Sequence, residues 1–200
     1  MVEAAMTTPL RHRLPLLHAL LAFPSAVFAH RDDQYLQATL VAIEPNGVRL
    51  QINLTPGVAV AEQVIAEVDR DRDGAISKNE AAAYAELLKR DLTLRIDGRK
   101  LELKLTASEF VSPEELRTGA GVIQMEFSAV VGSLAAGPHR LTLENRHLTA
   151  MSVYLINASQ PRSAAVQITR QKRNENQSAG EIEFTFHPLP SKIPVSARPN

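Results

Sequence analysis

The chain has 200 residues, 44% of them hydrophobic, with 22 basic and 22 acidic side chains and a formal net charge of zero. That length supports one well-buried core and little more. Balanced charge, no tryptophan and only 4% aromatics leave neither an electrostatic footprint nor a stacking platform for nucleic acid, which is excluded as an expected partner. With no cysteine in the sequence, stability must come from packing rather than from disulfides.

The N-terminal segment differs from the rest. Arg11 and Arg13 precede an apolar run from Leu14 to Phe28 that contains Pro15, His18 and Pro24 and ends in Val27-Phe28-Ala29. Positive charge, apolar run and small residues in that order are the marks of a secretory signal peptide. A run of about 15 residues is short of the ~20 needed to cross a bilayer as a helix. Residues 1–29 are therefore expected to be a signal peptide. Cleavage would leave His30 as the first residue of an exported, periplasmic or secreted protein, and no later segment reads as membrane-spanning.

Beyond it, apolar and polar residues alternate in short runs, the period of strands with one buried face. The first runs from Tyr35 to Ile43. A turn at Glu44-Pro45-Asn46-Gly47 follows, with Asn-Gly read as the positive-φ pair of a tight hairpin. Val48, Leu50, Ile52 and Leu54 then mark the buried face of the second strand.

Between about 57 and 90 the period changes to that of a helix. Val60, Ala61, Val64, Ile65 and Val68 lie on one face of a first helix, and Ala81, Tyr84, Leu87 and Leu88 on one face of a second that starts near Lys78. The twelve residues between and into them are Asp69-Arg70-Asp71-Arg72-Asp73-Gly74-Ala75-Ile76-Ser77-Lys78-Asn79-Glu80. Acidic residues at alternate positions, glycine at the sixth and glutamate at the twelfth resemble the EF-hand, whose loop wraps a hard cation with oxygens. Similarity to that family implies side-chain oxygens from Asp69, Asp71 and Asp73, the carbonyl of Ala75, a direct or water-bridged contact from Ser77 and both carboxylate oxygens of Glu80. It also implies Ile76 pointing inward. A bidentate glutamate suits Ca²⁺ better than the smaller octahedral Mg²⁺. A plainer reading also fits Ser77-Lys78-Asn79-Glu80, namely a capping box for the second helix. It does not account for three alternating aspartates and Gly74. One loop of this kind is present, so a structural ion is expected rather than a paired sensor.

A second hairpin is expected to pair Leu92, Leu94 and Ile96 with Leu101, Leu103 and Leu105 across Asp97-Gly98. Ser112-Pro113-Glu114-Glu115 carries a capping box with proline at the first helical position, so a short helical turn is expected there. Further strands are read at 123–131, 139–144, 152–156, 166–169 and 182–186, with a polar loop at 172–180. The predicted fold is mainly β, a β-sandwich of about nine strands over 30–187 with a helix-loop-helix inserted at about 57–90, followed by a Pro-rich tail at 188–200.

Other chemistry is weaker. An N-terminal His30 can chelate copper or nickel through its amine and ring with a further histidine, His139, His147 or His187. This periplasmic metal-handling role is the alternative reading. No Gly-x-Ser-x-Gly elbow, reactive cysteine or phosphate-binding glycine loop is present, and Glu102, Glu126 and Glu144 alternate with apolar residues as solvent-facing strand positions, so a non-enzymatic protein is expected.

Finally, Tyr35-Leu36-Gln37-Ala38, Leu54-Thr55-Pro56-Gly57-Val58 and Ser152-Val153-Tyr154-Leu155-Ile156-Asn157-Ala158 resemble the exported N-terminal domain of membrane proteins similar to the HupE/UreJ hydrogenase and urease accessory family. In that family a bundle of membrane helices follows this domain. The sequence reaches Asn200 without such helices, so nickel transport is not carried over. The resemblance implies a free-standing exported accessory or binding module, with an exported or membrane protein as partner.

Overall fold

Ten strands in two five-stranded sheets form the body of the protein in this computed structural model, which describes residues 33–188. The expected signal peptide, His30 and the tail beyond residue 188 lie outside the described residues. Strand β1 (Tyr35–Glu44) and strand β2 (Gly47–Pro56) make the first hairpin, in register from Tyr35↔Pro56 to Glu44↔Gly47. The turn is therefore Pro45-Asn46, and neither Asn46 nor Gly47 has a positive φ. Proline fixes a negative φ at the first turn position, which rules out the positive-φ turn expected of Asn-Gly. Gly47 serves another end: a Cβ there would sit 3.0 Å from the Ala129 carbonyl oxygen on the neighbouring strand.

Two helices follow, α1 (Ala61–Val68) after a single 3₁₀ turn and α2 (Lys78–Asp91). Strand β3 (Leu92–Ile96) and the two-residue β4 (Arg99–Lys100) flank a turn with positive φ at Asp97 and Gly98. This turn is as expected, but the hairpin beyond it is not. Pairing stops at Arg95↔Lys100, residues 101–103 belong to no strand, and the chain crosses to the other sheet as β5 (Lys104–Glu109). Leu101 and Leu103 are buried all the same, with Leu101 N–H still bonding the Leu94 carbonyl at 2.9 Å, so their alternation reports burial as the chain leaves β3 and not a continued strand pairing.

Helix α3 (Pro113–Arg117) carries the expected capping box, with Ser112 and Glu115 each bonding the other's backbone N–H. Strands β6 (Ile123–Val130), β7 (Gly137–Asn145), β8 (Ser152–Ala158), β9 (Val166–Arg173) and β10 (Ala179–Phe186) complete the chain. The polar loop expected at 172–180 shortens to 174–178, because β9 and β10 pair from Gly180↔Arg173 onward.

The sheet orders are β5-β6-β2-β1-β8 and β4-β3-β7-β10-β9. Among the described residues the one parallel neighbour pair is β1 with β8. The inward faces of both sheets meet in one core, with Leu50, Ile52, Phe127, Leu94, Leu141 and Phe184 among its largest contributors, which is the layered burial of a sandwich. At the open edge of β8 the backbone is met by side chains from the other sheet. Gln171 donates to the Ile156 carbonyl and accepts from Ala158 N–H, and Arg173 donates to the same carbonyl and to Asn157.

One inward position on β1 is unsatisfied. The Thr39 hydroxyl is buried with no hydrogen-bond partner, a desolvated polar atom that costs stability. Thr39→Val keeps the shape and removes the hydroxyl. It is expected to stabilise the fold by about 1 kcal/mol, read as a higher urea midpoint at unchanged denaturant slope.

Candidate metal centre

Helix α1 is amphipathic, burying Ala61, Val64, Ile65 and Val68, and its last turn hands the chain to Asp69, whose N–H bonds the Ile65 carbonyl at 2.8 Å. Helix α2 buries Tyr84, Ala85 and Leu88 and starts at Ser77. The segment between them turns back on itself through left-handed backbone at Arg72 (φ 61) and Gly74 (φ 84), the second of which glycine adopts without strain.

Within this turn each aspartate accepts from the backbone ahead of it. Asp69 Oδ2 accepts from Gly74 N–H at 3.0 Å, Asp71 Oδ1 from Asp73 N–H at 3.1 Å and Asp73 Oδ1 from Ala75 N–H at 2.8 Å. These bonds hold the three carboxylates together, with one oxygen from each lying within 4.8 Å of the others. Asp71 and Asp73 are exposed, whereas Asp69 is only 4% exposed and its Oδ1 has no partner. Asp71 also has a raised pKa. The bond from Asp73 N–H acts to lower it, but partial loss of water and repulsion from Asp73, Glu80 and Asp69 together outweigh that bond.

Glu80 stands slightly apart from this group. Its Oε1 accepts from Arg70 N–H at 2.7 Å, and its Oε2 accepts from the N–H and hydroxyl of Ser77 at 2.9 and 2.8 Å, closing a capping box at the start of α2. The Ser77 backbone bond, then its hydroxyl, lower the Glu80 pKa to about 2, with Asp71 and Arg70 N–H adding to them. Of the six expected ligands, then, the structure gathers Asp69, Asp71 and Asp73. It places Glu80 across the loop on the backbone of Arg70, and puts Ser77 at the helix cap. Ala75 is exposed, its N–H held by Asp73. Ile76 is half-buried against the core, as expected.

The three histidines named as possible partners of His30 have different settings. His139 Nδ1 meets Asp97 Oδ2 at 2.7 Å and its Nε2 meets the Ala135 carbonyl at 2.8 Å. Burial alone would lower its pKa, but those two partners hold it above the ordinary value. His147 is fully buried and bonded to Asp91 and Tyr84, and His187 is exposed.

Reading the sequence missed a polar cluster beside α2, formed by Tyr35, Gln37, Tyr84, Asp91, Asn145 and His147, in which Gln37, Asn145 and His147 are fully buried or nearly so. Gln37 was its one legible sign, a polar residue on the inward phase of β1 between Tyr35 and Thr39. The three segments that carry the family resemblance also lie side by side here: Tyr35 pairs with Pro56 on one side and with Ser152 on the other.

No protein-family model matches the chain, and no curated protein matches it. No helix among the described residues is long and apolar enough to cross a membrane.

Proposed function

We propose that residues 69–80 are a Ca²⁺ site of EF-hand type and that the ion pins the helical insertion to an exported, non-enzymatic β-sandwich acting as an accessory or binding module. Asp69, Asp71 and Asp73 supply side-chain oxygens, Ala75 its carbonyl, Ser77 a direct or water-bridged contact and Glu80 its carboxylate. The observation that carries this reading is the orphaned Oδ1 of Asp69, buried in a group of three carboxylates. A desolvated carboxylate oxygen with no donor is costly, and a cation satisfies it while relieving the repulsion among its neighbours. Hard carboxylate and carbonyl oxygens select Ca²⁺ or Mg²⁺ over softer metals, and a glutamate able to ligate through both oxygens favours Ca²⁺.

Export follows from the reading of residues 1–29, and the resemblance to exported domains of membrane accessory proteins supports a membrane or exported partner. Isothermal titration of the chelator-treated protein at pH 7.5 is expected to give one Ca²⁺ per chain, with Kd on the order of 10⁻⁴ M or tighter. Asp69→Ala should abolish the heat and Glu80→Gln weaken binding at least about tenfold. Wild type that takes up no Ca²⁺ at millimolar concentration would overturn the assignment.

A further inference from the structure

Helix α2 is fastened to the sandwich by a buried chain of hydrogen bonds with a fixed direction. Asp91, at the end of α2, places Oδ2 2.7 Å from His147 Nδ1. A carboxylate only accepts, so Nδ1 carries the proton and a neutral ring offers Nε2 as an acceptor. Tyr84, also on α2, lies 3.0 Å from that Nε2 and must donate to it, which leaves its oxygen to accept from Tyr35 on β1 at 2.8 Å. Protons thus point from Tyr35 to Tyr84 to His147 to Asp91. Tyr35 is fully buried, and Tyr84 is its hydroxyl's hydrogen-bond partner.

The backbone that carries the ring is fixed on both sides. His147 N–H bonds Asn145 Oδ1, and the His147 carbonyl accepts from Gln37 and from Tyr154 of β8. The neighbouring Arg146 N–H bonds the Asp91 carbonyl. A proton on Nε2 would face the Tyr84 hydroxyl, forcing Tyr84 to turn its own hydrogen toward Tyr35. The Tyr35 hydrogen is then left without an acceptor in a dry site, the kind of unpaired buried donor that folded proteins avoid.

We propose that His147 is an acid-released latch: protonation of its ring reverses the Tyr84 bond, strands the Tyr35 hydroxyl and frees α2, and with it the helical insertion, from the sandwich. The groups facing the ring are Tyr84 and Asp91 of α2, Tyr35 of β1 and, through its charge, Glu67 of α1, with Tyr154 of β8 on the carbonyl of the same residue. Burial is the dominant influence and lowers the His147 pKa below its ordinary 6.5, with Asp91 and Glu67 opposing it in part. A base whose folded pKa is depressed contributes stability that is complete above the unfolded value and is lost as pH falls through the folded one. The latch is therefore closed at neutral pH and opens in acid. Glu80 and Tyr84 lie one turn apart on α2. Weaker Ca²⁺ retention in acid is a consequence that rests on the calcium reading; the latch itself does not need the ion.

The test uses the chain in EDTA, so that it stands or falls apart from ion binding. Amide hydrogen exchange, corrected for its intrinsic pH dependence, should show protection of residues 61–91 falling by up to about tenfold per pH unit below pH 6.5, as one proton allows, while β2 and β6 stay protected. His147→Gln can donate to Asp91 and accept from Tyr84 without titrating, and should keep the insertion protected to the same extent at pH 7.5 and 5.5. An NMR titration of the wild-type His147 ring should give a midpoint below 6.5. A midpoint at or above 6.5 overturns the latch, as does equal loss of protection in wild type and His147→Gln. Should that variant not fold, the wild-type midpoint and exchange profile decide alone.

Discussion

Saturating Ca²⁺ is expected to raise the melting temperature of the chelator-treated protein by about 5–10 °C. An ion that binds the folded chain alone, present at a hundred times its Kd, adds about 2.7 kcal/mol, and in a domain of this size each kcal/mol moves the midpoint by roughly 2–4 °C. The physical source is local. Without a cation, the carboxylates of Asp69, Asp71 and Asp73 converge on one another and Glu80 lies just across the loop. Helix α1 has only eight residues, below the length at which helices hold together unaided. Asp69→Ala should remove the calcium-dependent rise while leaving the EDTA midpoint little changed, since the lost bond from Gly74 N–H is offset by deletion of the orphaned oxygen. Sodium chloride of equal ionic strength controls for screening of surface charge. A wild-type midpoint unmoved by Ca²⁺ would contradict a structural ion.

Tyr84→Phe is expected to cost about 3 kcal/mol, the second large effect. The substitution barely changes shape, but it removes the middle member of the buried chain and strands two groups, the Tyr35 hydroxyl and His147 Nε2. Each such loss costs about 1–3 kcal/mol, and neighbours in one network do not add in full. Tyr154→Phe is the contrasting variant. Its hydroxyl donates to a His147 carbonyl that Gln37 and Ser152 also reach, so about 1 kcal/mol or less is expected. Urea denaturation of the two variants separates the outcomes. Equal stability of Tyr84→Phe and wild type would mean that the hydroxyl chain contributes nothing to docking α2.

The loop was legible because its chemistry is local: Asp69, Asp71, Asp73 and Gly74 meet within one turn of chain, and spacing alone brings them together. The sandwich was legible through alternation, as in Val48, Leu50, Ile52 and Leu54, because a strand with one wet face repeats every two residues. What alternation cannot report is the partner. Leu101 and Leu103 alternate like strand residues yet lie in the segment that changes sheets. The Pro45 turn shows a rule overridden by its neighbour, since a proline one residue earlier withdraws the positive φ that Asn-Gly would otherwise take. The polar cluster was invisible for a different reason: Tyr35, Tyr84 and His147 are far apart in the chain, on β1, on α2 and between β7 and β8, and only the tertiary fold brings those segments to one place.

Strand β8 ends one sheet, and an unpaired strand edge ordinarily invites a second chain to add to it. Here Gln171 and Arg173, reaching across from the opposite sheet, occupy the backbone groups of Ile156 and Ala158 that an incoming strand would use. The two sheets are thereby laced at the rim as well as packed at the centre. A chain with no disulfides to hold it carries in those two side chains a built-in barrier to self-association.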